Sequence, residues 1–210
     1  MVSPLSATFR PPALILALAL VAVCGPLRAA VVEVQVTGAT GQPLAEGVVY
    51  LESRDTRVAL KPLVGAEMEQ AGKRFTQRVL VVPIGSTVQF PNRDTVRHHV
   101  YSLSPTKQFE LKLYAGVPAN PVLFDRAGVA VLGCNIHDSM VGWVVVVETP
   151  LYGLSGRDGR VHIDNVPPGT YRLRGWHPEL APGAPAIDQP LVVAASGATA
   201  SVVLPVAAAR

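Results

Sequence analysis

An all-β fold is predicted by three features of the 210-residue sequence. Apolar and polar residues alternate over short runs, as in VVEVQV from Val31 to Val36. β-Branched stretches such as WVVVVE recur. Nineteen prolines and eighteen glycines interrupt these runs at intervals too short for long helices. With 49% apolar and 16% charged residues, the chain has enough apolar material to fill a core and is not disordered as a whole.

The first segment, residues 1–29, has the layout of an export signal. Arg10 supplies the positive start, ALILALALVAV from Ala13 to Val23 the apolar centre, and PLRAA the small residues for cleavage near Ala29 or Ala30. The apolar run is short for a membrane span, and no later segment approaches that length. A soluble mature chain in a bacterial periplasm is therefore expected. Cys24 offers a lipid-anchored alternative, although Val23 is a poor residue to precede a lipidated cysteine. Cleavage removes Arg10 and Arg28 and no acid, which takes the net charge from +3 to +1. That balance, with no basic run interleaved with aromatics, argues against a nucleic-acid partner. Cleavage also removes Cys24. Cys134 is then the sole cysteine, a lone thiol in an oxidising compartment, which suggests that it is occupied, reactive or deeply buried.

The strands follow in order. Residues 31–52 read as two strands around the turn residues TGATGQP. Residues 55–75 predict no regular element beyond a short helical turn or an irregular loop. RVLVV and STVQF are strands around a Pro-Ile-Gly turn, PNRD is a turn, and HHVYS opens another strand. KQFELKLYAG alternates Phe109, Leu111 and Leu113. VLFDRAGVAVLGC turns at Arg126–Gly128 and runs as a strand into Cys134, and MVGWVVVVE carries the chain away again. From Thr149 a second unit begins. Val161 and Ile163 alternate, a Pro-Pro-Gly turn follows, then Tyr171 and Leu173 alternate, and two strands close the chain. The expected division is a first β unit over 30–148 and a smaller one over 149–206.

The segment GCNIHDSM, Gly133 to Met140, gathers a thiol, an imidazole and a thioether within eight residues. Strands flank this loop and would hold it firmly, so Cys134, His137 and Met140 can converge. Together they form a soft donor set. With one more histidine they make the trigonal His₂Cys site with a weak methionine ligand that suits copper in electron transfer. His98 and His99, after FPNRDTVR, are the upstream candidates. Neighbouring strand residues face opposite ways, so only one of the two can take part in a regular strand. His162 lies in an alternating strand and faces outward, and His177 in GWHPEL packs or caps a loop.

VQFPNRDTVRHHV followed by CNIHDSM resembles the cupredoxins, above all the plastocyanin and amicyanin group. That group pairs an Asn-containing turn and a first histidine with a final Cys-x-x-His-x-x-Met loop. The resemblance covers roughly residues 31–148 and implies a Greek-key β-sandwich with one type 1 copper. It implies His98, Cys134 and His137 in the plane, Met140 as axial ligand, and Asn92 as the turn residue that steadies the first-histidine loop. Where the group often has Asn after the first histidine, this chain has His99. The tail, with PPGTYRL, resembles carboxypeptidase-regulatory-like β-sandwich domains. The combination resembles bacterial proteins labelled methylamine utilisation proteins.

The implied role is single-electron transfer between redox partner proteins, such as a dehydrogenase or a cytochrome, without catalysis. Two other readings are a periplasmic copper carrier or store, and a non-metal adhesion or scaffold module. A Cys/His nucleophile fits poorly, because such pairs are normally distant in sequence and have an orienting partner. The chain has no Cys-x-x-x-Cys loop for a binuclear copper centre and no Cys-x-x-Cys-His for haem. Its five histidines are too few for a trinuclear copper cluster beside this site.

Overall fold

The computed structural model describes residues 30–56, 58–181 and 183–206. The export signal expected over residues 1–29 lies outside them. Among the described residues, fifteen strands make four sheets. Among the described residues no helix is long and apolar enough to cross a membrane.

The strands around the soft donor set form a two-sheet sandwich. Its larger sheet has five strands: β4 (Val79–Pro83), β6 (His98–Ser104), β7 (Lys107–Tyr114), β9 (Gly128–Cys134) and β10 (Gly142–Val147), in the order β4-β10-β9-β6-β7. Facing it are β3 (Ala66–Glu67), β5 (Ser86–Gln89) and β8 (Val122–Phe124), in the order β3-β5-β8. Between the two sheets lies a core that includes Met68, Val88, Phe90, Val100, Phe124, Leu132, Val144 and Val146. Phe109 packs at its margin, tilted against Phe90 at 5.3 Å between ring centroids.

The second unit differs from the sequence expectation at one end. β1 (Ala30–Thr37) and β2 (Val48–Glu52) do not pair with the sandwich that follows them in sequence. β1 lies between β12 (Arg160–Val166) and β15 (Ala198–Val203), parallel to β15 with Val32 beside Ala198. β2 lies between β11 (Tyr152–Leu154) and β13 (Gly169–Trp176), and β14 (Ile187–Val193) completes that sheet. The small sandwich is thus built from both ends of the described residues, whereas the sequence expectation begins it at residue 149. The reason is burial: Val32, Val34 and Val36 are almost wholly covered, so β1 needs ladder partners on both edges and a second sheet over its inner face.

The two cores share a wall. β10 pairs in parallel with β4, with Val145 beside Val81, and side chains alternate between the faces. Val144, Val146 and Val82 enter the core beneath the donor loop. Val79, Val81, Val145 and Val147 join the core of the small sandwich. This is why WVVVV has no polar interruption: a strand covered on both faces reads as a continuous apolar run. Each buried valine contributes on the order of 1.5 kcal/mol or more. At the rim of the wall, Arg78 pairs with Glu46 and Glu179 at 2.9 Å and lies over the Trp143 ring. Exposed pairs of this kind add little stability individually.

Candidate metal centre

Two strands and one loop bring the donors together. Cys134 ends β9, opposite Val100 of β6. His98 opens β6, where the register against β7 slips between His98 and Val100. His98, Val100 and Ser102 point inward in alternation, so His98 is fully buried on the side of Cys134. His99 faces the other way. Its ring bonds to the Glu110 carboxylate at 2.7 Å and lies near the Asn135 amide. Of the two upstream histidines, the structure therefore brings His98 to the cluster.

After Cys134 the chain turns at once. The Asn135 amide donates to the His99 carbonyl, and the Met140 amide donates back to the His137 carbonyl at 2.9 Å. That second turn aims the His137 ring inward beside Cys134 and returns Met140 to the core. Cys134 is 5% exposed and Met140 1%, in the same apolar cluster. His137 is half-buried and reaches the surface.

The Nδ1 atoms of His98 and His137 each lie 3.8 Å from the Cys134 sulfur. The three donor atoms are all within 4.8 Å of one another. The two rings are 5.0 Å apart and tilted by 58°. These spacings can be tested against a metal. Bond lengths of about 2.3 Å to sulfur and 2.0–2.1 Å to nitrogen at trigonal angles separate S and N by about 3.7–3.8 Å. Both sulfur–nitrogen separations of the cluster, 3.8 Å each, match that arrangement.

The His98 tautomer is set by its outer nitrogen. Nε2 lies 2.8 Å from the Asp94 carboxylate, which only accepts, so Nε2 carries the proton and the Nδ1 lone pair faces the cluster. Asp94 is held in turn by two successive amides of the 70–75 hairpin. Gly72 N–H donates to one carboxylate oxygen at 2.7 Å and Lys73 N–H to the other at 2.9 Å. Both residues have positive φ, 62° and 57°, which points their N–H groups into a single anion-holding concavity. The Lys73 amide bond, then the His98 ring and the Gly72 amide, hold the Asp94 carboxyl below its ordinary range. Asp94 was missed by sequence reasoning. Its only signal is its place four residues before His98.

Asn92 steadies this loop from beneath. It is buried, its amide donates to the carbonyls of Val96 and Tyr114 at 2.9 and 3.1 Å, and its oxygen accepts the Asp94 N–H at 2.9 Å. Tyr114, beside His98 across the ladder, donates its hydroxyl to the Phe90 carbonyl and accepts from Gln70. Burial, reinforced by the nearby Cys134 and opposed by the Gln70 bond, pushes its phenol up to about 12. His162 is exposed beside Glu33 and His177 is buried in the small sandwich, so neither joins the cluster.

No protein-family model matches this chain, and no curated protein matches it. Solved structures do. An oxidised proline-to-alanine variant of amicyanin is 27% identical over 40% of this chain and 82% of its own, with a TM-score of 0.36. A reduced tryptophan-to-tyrosine variant of amicyanin is 23% identical over 47% of this chain and 98% of its own, with a TM-score of 0.36. A purple cupredoxin from Nitrosopumilus maritimus is 23% identical over 39% of this chain and 99% of its own, with a TM-score of 0.34.

Proposed function

We propose that the chain is a blue copper protein that carries single electrons between redox partners in the periplasm. His98, Cys134 and His137 would hold one type 1 copper, with the buried Met140 thioether as a further, weaker donor. The observation that carries this reading is the convergence of one cysteine sulfur and two imidazole Nδ1 atoms, each nitrogen 3.8 Å from the sulfur. A soft thioether returned to the same core favours copper over zinc, whose closed sites take nitrogen, oxygen or thiolate donors. When bound, copper would supply a one-electron couple held by soft donors.

The chain's own residues do the rest. Asp94 keeps the His98 proton on Nε2, so the ring is ready to bind without a change of tautomer. Burial of Cys134 and Met140 keeps bulk water from the sulfur atoms. The half-buried His137 gives electrons a short path to the surface. That same burial argues against a nucleophilic role for Cys134, because a catalytic thiol must meet its substrate.

Voltammetry of the copper-loaded protein tests the transfer role. A reversible one-electron wave, with metal retained over many cycles, is expected. Loss of copper on reduction would favour the carrier or storage reading instead.

A further inference from the structure

The two loops that hold Asp94 also set the charge around the centre. The 70–75 hairpin, closed by the Gln70–Phe75 bridge, exposes Lys73 and Arg74. The 92–97 loop exposes Arg93, Val96 and Arg97. The two are tied side by side through Asp94, through the Gln70–Asn92 bridge and through the Arg93 amide on the Gln70 carbonyl. Arg97 directly precedes His98, whose ring is 5.0 Å from that of His137.

The acids of this region are largely committed. Asp94 is bound to His98 and the hairpin amides, and Glu69 is paired with Arg93 at 3.0 Å. Asp138 is the exposed carboxylate on the donor loop. Among the described residues, Lys73, Arg74 and Arg97 have no carboxylate within ion-pairing distance. The same segments expose two apolar side chains, Val96 at 39% on the 92–97 loop and Ile136 at 47% on the donor loop.

We propose that Lys73, Arg74, Arg93 and Arg97 form a cationic collar that docks an acidic face of a redox partner protein over the donor loop. The purpose of the collar rests on the redox reading of the cluster, but its position does not. Charge complementarity selects this partner: four clustered cations, of which only Arg93 has a carboxylate partner, attract a carboxylate-rimmed surface from a distance and repel a basic one.

The test has two arms. In the metal-free protein, hexacyanochromate(III), a redox-inert paramagnetic trianion, is added at substoichiometric concentration while amide resonances are followed by NMR. Broadening should concentrate at residues 72–74 and 95–97, be absent with the hexaamminechromium(III) cation, and disappear in Arg74→Glu/Arg97→Glu. Broadening centred elsewhere, or equal for the two ions, would overturn the collar.

In the copper-loaded protein, hexacyanoferrate(II) gives one electron to the oxidised centre and leaves as hexacyanoferrate(III), with no proton moved. The double variant should slow that reaction about tenfold and speed reduction by hexaammineruthenium(II), with its visible spectrum unchanged. Equal rates in both proteins would also overturn the collar. A broadening map on the collar with no copper band would sink the redox reading and leave an anion-docking surface in place. A copper band with the map elsewhere would sink the collar alone.

Discussion

Asp94→Asn separates positioning of the imidazole from the ligand set itself. One Asp94 oxygen accepts from both Lys73 N–H and His98 Nε2–H, at 2.9 and 2.8 Å, and the other accepts from Gly72 N–H at 2.7 Å. Asparagine has one oxygen to offer. If that oxygen serves His98 and Lys73, its NH₂ meets the Gly72 N–H; in the flipped amide, the NH₂ meets the other two donors. Either orientation sets donor against donor and removes the charge that complements the imidazole. Gly72 and Lys73 are exposed, so their amides can turn to water, whereas fully buried His98 has no such recourse. The metal-free protein should lose about 1–2 kcal/mol, roughly one charged hydrogen bond. Metal affinity should fall about 10–100-fold, as when a histidine ligand loses its outer partner. Denaturant unfolding of the metal-free protein reads the first quantity, and copper competition against a chromophoric chelator reads the second. An affinity within threefold of the parent, with unchanged stability, would refute the claim that Asp94 sets the ring.

Three further outcomes follow from the fold. Burial holds the His177 imidazole below its usual range, with Nε2–H donated to the Ala45 carbonyl and Nδ1 accepting the Glu179 amide, while Glu46, Glu179 and Arg78 face it. The unfolded chain therefore takes up the proton first. The His177 contribution is full above the ordinary value of 6.5 and is lost as pH falls toward the folded value. The slope of stability between pH 7.5 and 5.5 should shrink in His177→Gln, and an unchanged slope would contradict this. Val144→Ala and Val145→Ala remove two methyl groups each from opposite faces of the shared wall, so each should cost about 2–3 kcal/mol in urea unfolding. Only Val144→Ala should also disturb the spectrum of the metal-loaded centre. Gly159→Ala places a Cβ 2.4 Å from the Val36 carbonyl oxygen at φ +74°, and thermal unfolding should report a loss of at least about 2 kcal/mol.

The sequence made the donor loop legible because its three soft side chains lie within seven residues and need no long-range pairing to meet. Strand alternation was equally readable in β1 and β6, where inward and outward residues differ sharply. The choice between His98 and His99 needed the inward set of His98, Val100 and Ser102, which only the β6 ladder fixes. Asp94 was hidden because its partners come from a hairpin with a non-glycine residue, Lys73, at positive φ, a conformation that no local pattern announces. The pairing of β1 and β2 was hidden for a related reason. Alternation says that a strand has a buried face, but not which distant strand lies beside it.

Titrating the protein with copper(II) while recording visible absorption and electron paramagnetic resonance, in parallel with Cys134→Ser, decides whether the His98–Cys134–His137 cluster is a blue copper centre. One tightly held copper with an intense sulfur-to-copper band and a narrow copper hyperfine splitting is expected, both signals absent in the variant. Copper held without that band, equal spectra in both proteins, or no stoichiometric binding would contradict that assignment.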